Sequence, residues 1–239
     1  MSHKHNSFAL WSGPSELDGK PIVALATIRS DNSKTGDVPQ IAIMRADVNP
    51  IEALKTGDDY SVCGGCGHRP ELVASSGLAP CYVTVAHGPL SVWKSWKRGT
   101  ATGTRAKLVE RAREVGMIRL GSYGDPAAVP AHVWARLEAQ LGATVRIVGY
   151  THQWASPTTA PSMARWVMAS ADSTAERKAA RSAGYRTFRI RSSTQPGQPG
   201  EIACPASAEM NNKATCSTCR ACDGMKRGGK RPDVVIVAH

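Results

Sequence analysis

Apolar residues alternate with polar ones early in the chain and recur at helical spacing later, so the sequence reads as two patterns in succession. Residues 21–29 (PIVALATIR) and 39–48 (PQIAIMRADV) are rich in strand formers, and the turn chemistry of 30–37 (SDNSKTGD) lies between them. Together they predict a β-hairpin. A short helix follows, with Asn49 as cap, Pro50 at its first position and Gly57 as its stop. Further on, helix and strand patterns take turns. Helices are predicted over 90–98 and 105–115, the second with Leu108, Val109, Ala112 and Val115 on one face. A strand over 117–126 precedes a helix over 130–142, which starts at Pro130, buries Val133, Leu137 and Leu141, and stops at Gly142. Strands over 144–154, 166–172 and 185–192 alternate with a short helix interrupted at Pro161 and a helix ending at Gly184. Ser173 and Glu176 form the capping box of that last helix. A short strand near Ile202 and Ala203 and a buried one over 232–239, ending at His239, complete the pattern.

Alternation at roughly the ~30-residue spacing of βαβ units predicts an α/β fold with a parallel sheet and helical crossovers. A complete barrel, a partial (β/α) barrel or an open doubly wound sheet would each satisfy it. Neither G-x-G-x-x-G after a strand nor a P-loop occurs, so the common nucleotide sheets gain no support. The hairpin and short helix occupy 1–60 and the α/β unit 61–239, within what should be one compact domain of 239 residues. No stretch has the length of a membrane span, and the first residues lack the apolar run of a signal peptide. The expectation is a soluble cytoplasmic protein with no membrane partner.

Charge adds a second expectation. Thirty Lys and Arg against 19 Asp and Glu give a formal charge of +11, which favours polyanion partners. Basic residues concentrate mildly in 92–99, 185–191 and 225–232. In the first of these, Trp93 and Trp96 could stack on bases while Lys94, Lys97 and Arg98 contact phosphates. The same spacing also suits a core-facing indole pair beside a solvated basic surface.

The cysteines change the picture most. Seven in a reducing compartment, an odd number, point to metal ligation rather than disulfides. Cys63 and Cys66 form a C-x2-C loop with two glycines between, and Cys81 can add a third sulfur. Cys216, Cys219 and Cys222 form C-x2-C-x2-C, with Cys204 upstream and assignable to either group. That run suits a 4Fe–4S or 3Fe–4S cluster, one or two in number, better than zinc, which usually draws ligand pairs from separate turns. Zinc is the alternative, closed at the first group by His68 or His87. In parallel α/β folds ligands sit beyond the strand C-termini, and those ends are polar here. Asp125, His152 and Asp172 are candidate acid–base groups; Tyr123, Gln153 and Ser207 could contact a ligand, and Arg189 and Arg191 could hold an anionic one.

The cysteine stretch ending in CYV, together with RLGSYGDPAAVP, YTHQW, MASAD and CPAS…CSTCRACDG, resembles phage-encoded proteins of uncharacterised function. These look like relatives of the radical S-adenosylmethionine enzymes, and the resemblance runs from about Ser61 to the end. It implies a partial β/α barrel whose 4Fe–4S cluster is held by Cys63, Cys66 and Cys81, with an open iron facing S-adenosylmethionine. The pattern departs from that superfamily in spacing: C-x2-C-x14-C replaces C-x3-C-x2-C, and no glycine-rich segment follows the next strand. A degenerate member that keeps its cluster for structure, redox sensing or nucleic-acid handling is the implied variant.

Overall fold

Two five-stranded sheets organise the computed structural model, which describes residues 6–30, 34–78, 80–156, 160–227 and 231–238. The first sheet opens with β1 (Ser7–Pro14), β2 (Pro21–Thr27) and β3 (Gln40–Arg45), antiparallel to one another. The predicted hairpin is the β2–β3 pair; β1 was not anticipated. Four helices and a fifth separate β3 from the next strand: α1 (Pro50–Thr56), α2 (Tyr60–Cys63), α3 (Pro70–Ser76), α4 (Gly88–Lys97) and α5 (Arg105–Val115). Then come β4 (Met117–Leu120), α6 (Ala131–Leu141) and β5 (Arg146–Val148), with β3, β4 and β5 parallel. The hairpin thus lies inside the same sheet as β4 and β5, with β1 at its outer edge.

The second sheet holds β6 (Tyr150–Thr151), α7 (Ala160–Met163), β7 (Met168–Ala171), α8 (Thr174–Ser182), β8 (Thr187–Arg191), β9 (Glu201–Ala203), α9 (Cys216–Cys219) and β10 (Asp233–Val237) in chain order. Its strands run β6-β7-β8-β10-β9, all parallel. Gly149 alone separates β5 from β6 and so joins the sheets. No closed barrel forms among the described strands. His239, the expected end of the last strand, and the tripeptides 31–33 and 157–159 of the expected turn and interrupted helix lie outside the described residues.

Local chemistry explains the helices. Asn49 Oδ1 accepts from the Ile51 and Glu52 amides at 3.1 Å each, and Gly57 ends α1 at φ 77°. Ser173 accepts from the Glu176 amide at 3.1 Å, while the Glu176 carboxylate reaches past the cap to the Asp172 amide at 2.6 Å. Strand alternation then sorts the two faces. Ile118, Leu120, Ile147 and Val167 join Trp134, Leu137 and the hairpin in the main core. The other face carries Met117, Val148, Met168, Phe188, Ile190, Val234 and Ile236, and it lines a cavity or packs behind one.

Candidate metal and ligand cavity

A cavity of about 340 Å³ lies against that second face, and all seven cysteines line it. They fall into two sets. Cys63, Cys66 and Cys81 lie close enough to act on one another's charge, as do Cys204, Cys216, Cys219 and Cys222. Cys204, ambiguous in the sequence, therefore stands with the C-terminal set.

The first set sits beyond the C-terminal ends of the parallel strands. Asp59 and Arg69 pair through two hydrogen bonds of 2.7 and 2.8 Å and clamp the base of the loop, where both are buried. The two glycines between Cys63 and Cys66 differ. Gly64 has φ +56°, and a Cβ there would strike the Gln153 side chain at 2.6 Å; Gly65 faces open space. Gln153 Nε2 in turn donates to the Cys63 carbonyl at 3.1 Å, and the Cys81 amide donates to the His68 carbonyl at 2.9 Å. These bonds tie three separate segments into one loop cluster.

His68, His152 and Asp172 meet beside it. Asp172 Oδ1 lies 2.9 Å from His68 Nε2 and Oδ2 lies 3.4 Å from His152 Nε2, while the Cys66 sulfur is 3.9 Å from that same nitrogen. Burial would raise the Asp172 carboxyl, but hydrogen bonds from His152 and His68 hold it far below the usual carboxylate range. Burial likewise opposes the charged form of His152, and the Asp172 and Cys66 contacts outweigh it and raise its pKa well above the ordinary value. Among the described residues this trio alone brings three His, Cys, Asp or Glu donor atoms within 4.8 Å of one another.

Asp125 lines the cavity with both carboxylate oxygens engaged, one by the Ala127 amide at 2.9 Å and one by the His152 amide at 2.8 Å. It fixes the end of β6 against the Pro126–Ala128 turn, and burial pushes its carboxyl up. Tyr123 also lines the cavity, and its buried hydroxyl has no hydrogen-bond partner among the described residues. Burial and the nearby Cys63 push its phenol far up.

The second set gathers beside the starts of β4 and β5, with Cys204 directly after the end of β9. Arg220 donates to the Val115 carbonyl just before β4, and Arg146 at the start of β5 donates to the Arg220 carbonyl, each at 2.8 Å. Cys216 and Cys222 pack against Val38, Met117 and Val148 there. Tyr150 hydrogen-bonds Cys222, and burial pushes that thiol up to about 12. Ser207, a candidate ligand contact, donates to the Cys204 carbonyl at 2.7 Å and shapes this loop. Burial raises the thiols of Cys63, Cys81, Cys204, Cys216 and Cys222 above the ordinary value.

The other candidates lie elsewhere. Arg189 projects from the far face of β8 and makes two 2.8 Å bonds to Glu201, while Arg191 pairs with Glu209. Arg186 is held by Asp223, so the basic run 185–191 is an internal ion-pair hub. Trp93 and Trp96 pack on the main core, Trp93 donating to the Arg45 carbonyl at 2.9 Å, and Lys97 lies over both rings. Lys94 and Arg98 are exposed on or just after α4. His87 is exposed at the start of α4, whereas His68 is buried in the trio with Asp172. Sequence reasoning did not single out Arg119, Tyr82 or the pairing of His68. Strand alternation could have found Arg119, which shares the Met117 face of β4. Comparison with known protein families, curated proteins and solved structures finds no match for the chain.

Proposed function

We propose that the chain is an iron–sulfur protein built as an open half-barrel, in which the sheets joined through Gly149 curve about the cavity and carry two thiol sets. The observation that carries this reading is the convergence of all seven cysteines on a single cavity, in a set of three and a set of four. All-sulfur donor sets suit clusters. A tetrahedral zinc site holds sulfurs about 2.3 Å from the ion and hence about 3.8 Å from one another. Among the described residues no three cysteine sulfurs come within 4.8 Å of one another.

Cys63, Cys66 and Cys81 would hold a cluster with one iron free of protein sulfur, and Cys204, Cys216, Cys219 and Cys222 a fully thiolate-held one. When bound, such clusters supply one-electron transfer and, at an iron without cysteine, a Lewis acid. The chain's own groups complete the site. His152 is held by Asp172 beside the Cys66 sulfur, and the Tyr123 hydroxyl, without a partner among the described residues, is available to a ligand. The resemblance to relatives of the radical S-adenosylmethionine enzymes makes that cofactor one reading of the ligand beside the first set, and a small anionic molecule the other.

Anaerobic purification followed by iron, sulfide and zinc analysis tests this reading. The expected result is iron with acid-labile sulfide and a broad visible absorption that bleaches on reduction. Stoichiometric zinc without sulfide would overturn it.

A further inference from the structure

We infer that Arg119 anchors the carboxylate or phosphate of a small ligand on the cavity wall between the two cysteine sets. This rests on the cavity being a ligand site, as proposed above. Strand alternation sends Ile118 and Leu120 of β4 into the main core and puts Arg119 on the cavity wall. Its Nη2 donates to the Tyr82 hydroxyl at 2.7 Å, and its Nε is buried with no acceptor among the described residues. Tyr82 follows Cys81 in the chain, while Tyr150 and Cys216 of the second set lie close enough to act on the Arg119 charge.

Several arginines of this fold meet carboxylates, whereas Arg105 and Arg113 give their donors to amide and backbone carbonyl oxygens. Arg69 has Asp59, Arg165 has Glu138, Arg186 has Asp223 and Arg189 has Glu201. Arg220, which also lines the cavity, gives its donors to the Ser217 and Val115 carbonyls. Arg119 has a phenol hydroxyl and no carboxylate among the described residues, in surroundings that include Met117, Val148 and Phe188. A permanent charge against an apolar wall is costly without a counter-charge, and the guanidinium fork matches a carboxylate or a phosphate. Tyr82, at the exposed mouth, has its hydroxyl proton left to donate to the same anion. The cavity volume of about 340 Å³ stands at the small end of ligand pockets, which suits a small anionic molecule better than a cofactor as large as S-adenosylmethionine.

The test is calorimetric titration of the anaerobically purified protein with inorganic phosphate and, separately, acetate, at constant ionic strength set with chloride. Iron and sulfide are measured on the same samples. Wild type should bind at least one probe; phosphate alone assigns a phosphoryl ligand and acetate alone a carboxylate. Arg119→Gln should weaken that binding about tenfold or more, as expected for loss of charge-assisted bonds. Arg119→Lys and Tyr82→Phe should weaken it less, with melting temperature and iron content unchanged, and they keep the test valid if Arg119→Gln fails to fold. Probe binding unaltered in all three variants, or absent from wild type, would overturn the inference. So would a variant that shifts only the reduction potential of bound iron, since that marks a counter-ion rather than a ligand anchor. Probe binding in a protein without iron would sink the cluster reading and leave this one standing.

Discussion

Glu138 on α6 sits beneath four donors from three residues: Arg165 with bonds of 2.7 and 2.9 Å, the Trp166 indole at 2.8 Å and Lys226 at 2.7 Å. Burial alone would raise its carboxyl, but these donors outweigh it and hold the pKa at about 2. A carboxylate lowered on folding stabilises the folded state above its ordinary pKa, and that stability drains away as pH falls from about 4.5 towards 2. Glu138→Gln should therefore cost about 2 kcal/mol at pH 7, allowing for the exposure of Arg165, and should lose little more on acidification. Urea unfolding at pH 7 and pH 3 checks this; an acid sensitivity equal to wild type would count against it. The same logic of paired burial covers Asp233, which takes Arg177, Arg181 and the Thr187 amide while fully buried. It explains why a formal charge of +11 does not appear as one basic face around residues 185–191.

Gly149 decides how the elements are joined. A Cβ there would meet the Leu120 carbonyl oxygen at 2.8 Å and the Val167 side chain at 3.0 Å, so the step from β5 to β6 has no room for a side chain. Gly149→Ala should destabilise by about 1–3 kcal/mol through forced separation of backbone from β4. Gly65→Ala, into open space, should be neutral in the same denaturation series. Equal midpoints for the two variants would show that the junction tolerates displacement. Elements with an apolar stripe or a clear cap were legible in the sequence: α1, α5, α6 and α8 fall where Asn49, Leu108, Val133 and Ser173 place them. β1 was not, because its register shifts between Ala9 and Trp11 and breaks the period of two by which a strand is read. α3 was missed since none of its residues is buried, leaving no stripe to see. Of the site, the cysteine runs were plain from spacing. The membership of Cys204, the His68–Asp172 pair 104 residues apart and the Arg119–Tyr82 contact depend on tertiary placement that no local pattern encodes.

Across the whole molecule the two cysteine sets line one cavity as separate groups, and their supports differ. The first is held by Asp59–Arg69, Gln153 and Asp125 against the main core. The second rides on a segment whose regular structure is a four-residue α9 and short turns, tied down by Arg220, Arg146 and Arg186. With little apolar burial of its own, that segment should depend on its bound group for order. Cys63→Ala should thus lose only the iron of the first set and keep the unfolding midpoint within about 1 kcal/mol of wild type. Cys222→Ala, or removal of metal by a chelator under reducing conditions, should open residues 204–225 to limited proteolysis while the hairpin sheet stays intact. Iron per chain and the mapped cleavage sites together decide the matter. Loss of all iron from either single variant would mean one shared site, and the separation of the two sets along the cavity would have no functional meaning.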